Sequence, residues 1–430
     1  MKEENKQGLK KLYQKLKTSG FIGIIFSSTL IKVIVFASSL FLPAFLSPVD
    51  FGIYTYSENL FNYFLLLNGL GISNSIIKFC SNNESNQVQK GYFLSCVKFG
   101  LLFDLLLSAL MVVFCLFYKF EFTEAKFLLL SMLILPMFLF LFECIQFYLR
   151  SNFENNKFSI LTFVYSFILL ALQIGLVIDF SLTGVIVAKY VSLIFALLLG
   201  VYFLWKIDFF KGSIIHPGKE KLIAFFKYGV VMLISNFTSL IISLNDTYLV
   251  GSILKDSTVI AQYKVASLPL QLMLFFTNAI IVFILPHFIK HANDKGWVRI
   301  NFRKIMAMNF LLCLAIHIVM FIIAKPFVAV FYGEAYLNSV PLMYNFLIVS
   351  FVLSAIRNIP GNLLAVLGYE KYNLKINILS VVIHIVICYA LLVEFGASSM
   401  GIALLVTYTI SGIISLIKML SITKDVVTVK

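Results

Sequence analysis

Seven ionisable side chains lie well inside stretches of apolar sequence: Lys32, Glu58, Lys98, Asp104, Glu143, Lys189 and Arg357. Each charge costs about 2.5–3.5 kcal/mol at the centre of a bilayer. Seven charges facing lipid would cost roughly 20 kcal/mol, which exceeds the ~5–15 kcal/mol stability of a typical folded protein. The pattern therefore predicts a water-filled cavity inside a bundle of membrane-spanning helices, as in a transporter.

The bases and acids of such a cavity predict different chemistry. Fixed positive charges attract phosphate, which Arg binds through two parallel hydrogen bonds and Lys binds as a point charge. Carboxylates beside them are able to hold a proton or a sodium ion. Lys98 and Asp104 are six residues apart on one predicted helix, so each needs a partner on another helix.

Polar residues also form stripes at helical spacing. Lys264, Ser267, Gln271 and Asn278 follow one face of a predicted helix. When Tyr54 is aligned with Tyr263, the equivalent stripe in the first half of the chain is Thr55, Glu58, Asn62 and Gly69. Amides and tyrosine rings suit sugars, because rings pack on apolar sugar faces and amides bond hydroxyls. The alternative is that these groups only bond neighbouring helices.

The composition predicts an all-α polytopic membrane protein. Of 430 residues 60% are hydrophobic and the mean hydropathy is +0.97, whereas soluble domains average about 45–50% apolar residues. Segments of about 20 apolar residues span the hydrocarbon core. Twelve segments qualify: 20–42, 49–72, 91–117, 126–149, 158–178, 181–205, 225–250, 258–286, 305–323, 341–367, 374–393 and 398–419.

Charge asymmetry orients these segments. With both termini in the cytoplasm, the outer loops hold only Lys119, Lys126, Lys255 and Lys325 of the 34 Lys and Arg residues. The +14 charge therefore reflects topology, and we expect no nucleic-acid partner. The predicted organisation is a cytoplasmic segment 1–19, a first lobe 20–205, a linker 206–224, a second lobe 225–419 and a cytoplasmic tail 420–430. Each lobe holds six helices, so the two lobes run parallel.

Other common sites are absent from the sequence. There is no G-x-x-x-x-G-K-[ST] run, so the chain has no P-loop for ATP. The six cysteines show no C-x-x-C pairing, and no metal-ligand spacing is present. We therefore expect no catalytic residues, no bound metal and no cofactor beyond a coupling proton or sodium ion.

Four motifs carry a family resemblance. Residues 47–54 (SPVDFGIY) resemble an LGP-x-x-FG-x-Y element, with Ser47 in place of the usual Gly. Residues 246–251 (DTYLVG) with 261–263 (AQY) resemble a D-x-x-L/I-V/I-G … G-x-Y element, with Ala261 in place of Gly. Residues 331–336 (FYGEAY) and 396–403 match two later elements. In this order the chain resembles the O-antigen (Wzx-type) polysaccharide flippases of the multidrug/oligosaccharidyl-lipid/polysaccharide exporter (MOP) superfamily.

The resemblance implies an architecture and a cargo. It implies two six-helix lobes around a V-shaped central cleft, alternating access and a place in the bacterial inner membrane. The implied cargo is an undecaprenyl-diphosphate-linked oligosaccharide, and a polysaccharide polymerase and a chain-length regulator are expected partners. The family has no invariant catalytic residues to transfer.

The charge argument then assigns residues to the parts of this cargo. We expect the diphosphate to bind Lys32, Lys264 and Arg357, with Lys98 and Lys189 behind them. The glycan is expected at Tyr54, Asn59, Asn62, Gln271 and Asn278. Glu58, Asp104 and Asp246 are the candidates for coupling to protons or sodium.

Two alternatives differ in what the cavity and loops should contain. A multidrug/cation antiporter of the same superfamily predicts an acid-dominated cavity, whereas the deep residues here are four bases and three acids. A membrane polysaccharide polymerase or polyprenyl glycosyltransferase would place acids or arginines in a sizeable outer loop. The largest outer loop, 324–340, carries only Lys325 and Glu334.

Overall fold

The computed structural model describes residues 34, 37, 38, 40–81 and 85–422. These residues form helices and contain no β-strand, which confirms the all-α class. Lys32 lies outside the described residues. Residues 40–45 are helical, and the later α-helices of the described part are α1 (Pro48–Leu65), α2 (Ser73–Cys80), α3 (Asn86–Phe117), α4 (Thr123–Ser131), α5 (Leu135–Ser151), α6 (Asn155–Lys206), α7 (Lys219–Leu254), α8 (Ser257–Ala266), α9 (Leu268–Lys290), α10 (Lys295–Tyr332), α11 (Val340–Val352), α12 (Asn358–Leu364), α13 (Glu370–Phe395) and α14 (Ser398–Ile422).

The helices identify a multi-pass membrane protein. Among the described residues, 6 continuous helical runs are long and apolar enough to cross a bilayer. The number rises to 8 when two bent pairs are each counted as one span, namely α1 with Asn68–Cys80 (49°) and α4 with α5 (44°). The predicted number of twelve spans stays a prediction.

Helix α6 is a hairpin of two apolar halves. Its 52 residues would extend about 78 Å if straight, more than twice the ~30 Å hydrocarbon core. The run is broken at Ser181, where φ is 48° and ψ is −129°. A Cβ on Gly184 would lie 2.3 Å from the carbonyl oxygen of Leu176, although residues eight apart in a straight helix are about 12 Å apart. The chain therefore folds back at Ser181, where the second of the predicted segments 158–178 and 181–205 begins.

The described chain forms two compact units. The first contains Leu60–Phe237 with the described residues up to Leu46, and the second contains Ser47–Asn59 with the described residues from Thr238 onward. The stretch 47–59 packs with the second unit, because Gly52 touches the Ser257 backbone and Asn59 Nδ2 donates to the Leu244 carbonyl at 3.0 Å. The lobe boundaries 20–205 and 225–419 stay a prediction.

Gly52 provides a test of this packing. A Cβ at this position would lie 1.8 Å from the Ser257 carbonyl oxygen, which is a backbone atom and unable to move aside as a side chain would. We expect Gly52→Ala to lower the free energy of unfolding by about 1–3 kcal/mol or more. Thermal unfolding of the detergent-purified protein measures this. Gly175→Ala is the matched control, because a Cβ there meets nothing within 4 Å, and an equal loss in both variants would contradict the packing argument.

In the first unit, the chain after α1 breaks into a left-handed turn. Gly69, Leu70 and Gly71 have φ values of 51°, 50° and 67°. The ring of Phe140 fills the space beside Gly69 and Gly100, where a Cβ would clash with it. The break frees backbone N–H groups inside the bundle, and such groups need partners when water is absent.

In the second unit, α11 continues into a turn of π-helix, Leu353–Arg357, before the short α12. A second π-helical turn, Ala365–Tyr369, follows α12 and contains Gly368 at φ 87°. Pro360 explains the first turn, because it has no N–H for the Ile356 carbonyl and its ring clashes with an α-helical carbonyl in that place. Buried Ile359, Leu363 and Leu364 anchor α12 in a core shared with α9, α10, α13 and α14.

Candidate functional site

Three groups of polar side chains lie among these helices. The acidic cluster is Asp104 and Glu143 with Gly69 and Ser73, in the first unit. The Asp–His cluster is Asp246, His384, Cys388 and Tyr263, in the second unit. The Arg–Asn cluster is Arg357, Asn373 and Asn377, also in the second unit.

The acidic cluster is built on the break after α1. The Gly69 N–H donates to Oδ1 of Asp104 at 2.7 Å, and the Ser73 hydroxyl donates to Oε2 of Glu143 at 3.1 Å. Asp104 is 0% exposed, and its Oδ2 accepts no hydrogen bond from the described residues. The two carboxyl groups interact electrostatically. Like charges on a buried acid and a half-buried acid that interact repel one another, so this arrangement suits the uptake of a cation.

The Asp–His cluster joins α7, α8 and α13. Oδ1 of Asp246 lies 2.5 Å from Nε2 of His384, and the Tyr263 hydroxyl donates to Oδ2 at 3.2 Å. The Cys388 thiol lies 3.7 Å from the same Oδ1 and 3.3 Å from His384 Nε2. Asp246 and His384 are 1% and 0% exposed.

This geometry supports two kinds of ion chemistry. A hydrogen-bonded carboxylate and imidazole share one proton over a short distance, so the pair has the groups needed to accept and release a proton. One ligand atom from each of Asp246, His384 and Cys388 lies within 4.8 Å of the others, so the group also has the spacing of metal ligands. The sequence indicated only Asp246, because 138 residues separate it from His384 and no local motif joins them.

The Arg–Asn cluster holds a guanidinium with neutral partners. Nη2 of Arg357 donates to Oδ1 of Asn377 at 2.6 Å and lies 3.4 Å from Oδ1 of Asn373. The guanidinium rests against Gly361, where a Cβ would come within 1.8 Å of Nη1. No carboxylate among the described residues pairs with Arg357. Its positive charge therefore remains available to an anion.

Asparagines extend this cluster along α12. Asn358 Nδ2 donates to Oδ1 of Asn278 at 3.4 Å, and Asn362 Nδ2 donates to Asn358 Oδ1 at 3.1 Å. Asn278 was predicted to bind glycan, and its partner Asn358 directly follows Arg357. Asn278, which was predicted to bind glycan, therefore lies next to the segment that carries Arg357, which was predicted to bind phosphate.

Lys264 lies close to an acid. It stands in the last turn of α8 and interacts electrostatically with Glu58 of α1. The predicted phosphate ligand and the predicted coupling acid are therefore neighbours. The acid offsets part of the lysine charge, whereas no carboxylate among the described residues pairs with Arg357.

The other predicted residues are placed as follows. Lys98 is exposed with its ammonium 5.9 Å from the Phe99 ring centroid, and Lys189 is half-buried. Tyr54 and Asn59 are buried, and the Asn59 amide is occupied by the Leu244 carbonyl. Asn62 is half-buried and Gln271 is exposed.

Gly361 allows the guanidinium position to be tested. We expect Gly361→Ala to displace the Arg357 guanidinium, since the new methyl group occupies the place of Nη1. The expected result is substrate binding weakened about tenfold, or 1.4 kcal/mol, at an unchanged melting temperature. Gly175→Ala controls for helix propensity, because alanine favours a helix by about 1 kcal/mol over glycine. Normal binding by Gly361→Ala would contradict the assignment.

Comparison with known proteins gives a family and a fold. The family model for polysaccharide biosynthesis proteins matches residues 41–341. Among solved structures, an inward-facing multidrug resistance MATE transporter of the MOP superfamily aligns with a TM-score of 0.70 at 14% identity, covering 92% of this chain and 96% of that one. The lipid II flippase MurJ in an inward closed conformation aligns with a TM-score of 0.73 at 15% identity, covering 94% and 90%. The search of curated proteins gave no match.

Proposed function

Because this chain belongs to the polysaccharide biosynthesis protein family, we propose that it is a flippase of the O-antigen (Wzx) type in the bacterial inner membrane. Its cargo is an undecaprenyl-diphosphate-linked oligosaccharide, which it moves by alternating access. Both termini are cytoplasmic in this proposal. The likeness in fold to a flippase of lipid II supports a lipid-linked cargo.

The observation that carries the proposal is the Arg–Asn cluster. A guanidinium with amide partners and no carboxylate among the described residues keeps its charge for an anionic ligand. Arg binds phosphate oxygens with two parallel hydrogen bonds, and the neighbouring amides offer donors and acceptors to sugar hydroxyls. A diphosphate joined to a sugar presents both groups at adjacent positions, which is the combination that Arg357, Asn377 and Asn358 suit.

The remaining binding residues follow from this anchor. Asn278 contributes to the glycan site through Asn358. Lys264 contributes to the diphosphate site with its charge moderated by Glu58. Lys32, Lys98 and Lys189 are also proposed to bind the diphosphate, and Tyr54, Asn59, Asn62 and Gln271 to bind the glycan. The polyprenyl tail stays in lipid.

Ion coupling is proposed to reside in the Asp–His cluster. The carboxylate of Asp246 and the imidazole of His384 are buried and hydrogen-bonded, so the pair holds a proton without exposing a full charge to the bundle interior. The acidic cluster at Asp104 offers a second position for a cation in the first unit. We further propose a polysaccharide polymerase and a chain-length regulator as partners in the membrane.

Reconstitution tests this function directly. The purified protein is placed in lipid vesicles that contain a polyprenyl-diphosphate-linked oligosaccharide, and a membrane-impermeant reagent attacks glycan on the outer leaflet. We expect a second, slower phase of glycan modification that requires the protein and slows further in Arg357→Ala. Protein-free vesicles are the control. Protection of the inner-leaflet glycan at all times would contradict the proposal.

A multidrug/cation antiporter is the second candidate. The likeness in fold to a multidrug resistance MATE transporter favours it, together with the two carboxyl-containing clusters. A deletion strain separates the two functions. The flippase predicts lost surface polysaccharide with unchanged drug susceptibility, whereas the antiporter predicts raised susceptibility with intact polysaccharide.

A further inference from the structure

A turn of π-helix sets the direction of Arg357. The turn spans Leu353–Arg357 and has Arg357 as its last residue. A π-helical turn contains one more residue than an α-helical turn, and one residue corresponds to about 100° of rotation around a helix. An ordinary α-helix through this segment would therefore rotate the Arg357 side chain away from Asn373 and Asn377.

Such a turn needs support from outside its own helix. π-Helical turns are rare and occur mostly as single turns at functional sites. Pro360 disfavours the α-helical hydrogen bond to Ile356, but it supplies no hydrogen bond in exchange. Carbonyl groups in the turn therefore depend on neighbouring helices, since an unpaired carbonyl in a membrane bundle is costly.

Helix α10 supplies this support at the turn itself. Nδ2 of Asn309 donates to the carbonyl oxygen of Ser354, inside the π turn, at 2.9 Å. Asn309 is 2% exposed and Ser354 is 0% exposed, so water does not compete for this bond. The amide oxygen of Asn309 also has a neighbour, the Cys313 thiol, at 3.7 Å.

Two further contacts join the same face of α10 to this segment, one to the helix before the turn and one to the turn itself. Nε2 of His317 lies 2.8 Å from the Ser350 hydroxyl, one helical turn earlier. Cys313 packs with Ala355 and Met273 in a small buried cluster. Asn309, Cys313 and His317 are spaced by four residues, so a single stripe of α10 holds the segment 350–355.

We propose that Asn309 is a positioning residue for the anionic group of the substrate. Its amide holds the Ser354 carbonyl, the π turn is retained, and Arg357 stays directed at Asn373 and Asn377. This inference depends on the proposed role of Arg357 in the flippase. Asn309 itself makes no contact with the substrate in this account.

A labelling experiment tests the structural part without transport. In the background of Arg357→Cys, the rate of reaction with a small water-soluble thiol reagent reports the direction of position 357, and the six native cysteines are buried. We expect Asn309→Leu to change this rate about tenfold, which corresponds to 1.4 kcal/mol. Asn301→Leu is the matched control on α10, because the Asn301 amide bonds the Trp297 carbonyl of its own helix at 2.9 Å. An unchanged rate in Asn309→Leu would overturn the proposal.

A transport experiment tests the functional part. At equal amounts of purified protein, Asn309→Leu is expected to raise the half-saturating substrate concentration about tenfold and to leave the maximal rate unchanged. Asn309→Gln, which keeps the amide donor, is expected to retain most of the wild-type affinity. The double variant Asn309→Leu/Arg357→Ala is expected to be no weaker than Arg357→Ala alone, because the two residues act as a unit.

The outcomes separate this inference from the function that it rests on. Additive losses in the double variant, or equal defects in the Leu and Gln variants, would overturn the positioning role. If Arg357→Ala transports normally while Asn309→Leu still changes the labelling rate, the substrate role of Arg357 fails and the support of the π turn stands. Asn309→Ala serves as the second variant if the leucine lowers the amount of folded protein.

Discussion

Replacing Arg357 with alanine is expected to weaken binding of the lipid-linked oligosaccharide about 10- to 150-fold, the equivalent of losing a charge-assisted hydrogen bond worth about 1.5–3 kcal/mol. The reason is that the hydrogen-bond partners of Arg357 are the side-chain amides of Asn373 and Asn377, so the ligand anion would replace no competing carboxylate. Equilibrium binding of the substrate to the detergent-purified protein measures the effect. The protein should remain folded, since the change removes a half-buried charge and leaves its amide partners intact.

Two further variants separate geometry from charge. Arg357→Lys keeps the charge and loses the planar fork, so we expect an intermediate loss. Lys371→Ala removes an exposed cation at the start of α13 and is expected to bind normally. Equal weakening by Lys371→Ala would show that only the overall positive charge matters, and normal binding by Arg357→Ala would remove Arg357 from the site.

Replacing Asp246 with asparagine is expected to uncouple transport from the pH gradient. A gradient of one pH unit is worth about 1.4 kcal/mol for each coupled proton, or about a tenfold change in the steady-state substrate ratio. The asparagine amide would keep the shape of the side chain but carry no exchangeable proton beside His384. Vesicles with and without an imposed pH gradient measure the ratio, and the variant should give the same ratio in both.

The control for this variant removes a carboxyl group that lies outside the Asp–His cluster but on one of its helices. Glu394 is exposed on α13, and Glu394→Gln is expected to keep the tenfold response. If Asp246→Asn retains the response to pH but loses a response to sodium, the cluster binds sodium rather than a proton. Retention of both responses would place the coupling ion elsewhere, with the acidic cluster at Asp104 as the next position to test.

The sequence showed which charged residues are energetically costly in a membrane. It did not show which residues contact one another in the folded protein. The energetic argument selected Arg357, Asp104 and Glu143 from their apolar surroundings alone, and each proves to have specific polar neighbours. The neighbours themselves were not predictable. Gly69 approaches Asp104 only because the chain after α1 turns left-handed, and helical spacing carries no information about such a break.

The residues that were missed are those whose partners lie far along the chain. His384 joins Asp246 over 138 residues, and Asn309 reaches Ser354 over 45 residues. In the sequence, each is a single polar residue on an apolar helix. The free-energy cost of placing an uncharged polar side chain in a membrane is too small to single it out. The prolines mark where helices begin or change geometry, since Pro136 and Pro269 begin helices and Pro360 lies next to the π turn.

The number of membrane crossings illustrates the same limit. Hydropathy separates segments 158–178 and 181–205, and the chain reverses at Ser181, where the second segment begins. The helical run itself nevertheless extends from Asn155 to Lys206. The number of spans depends on backbone geometry at single residues, which composition does not encode.

The reversal at Ser181 also affects how this part of the protein is made. With one non-helical residue joining two apolar helices, almost no polar chain has to be carried across the bilayer. Closing so short a connection costs little conformational entropy, so the two helices of α6 are expected to enter the membrane together, as one inserting unit during synthesis. That end of the helix pair has no exposed loop for cleavage by a protease, binding of an antibody or insertion of an epitope tag.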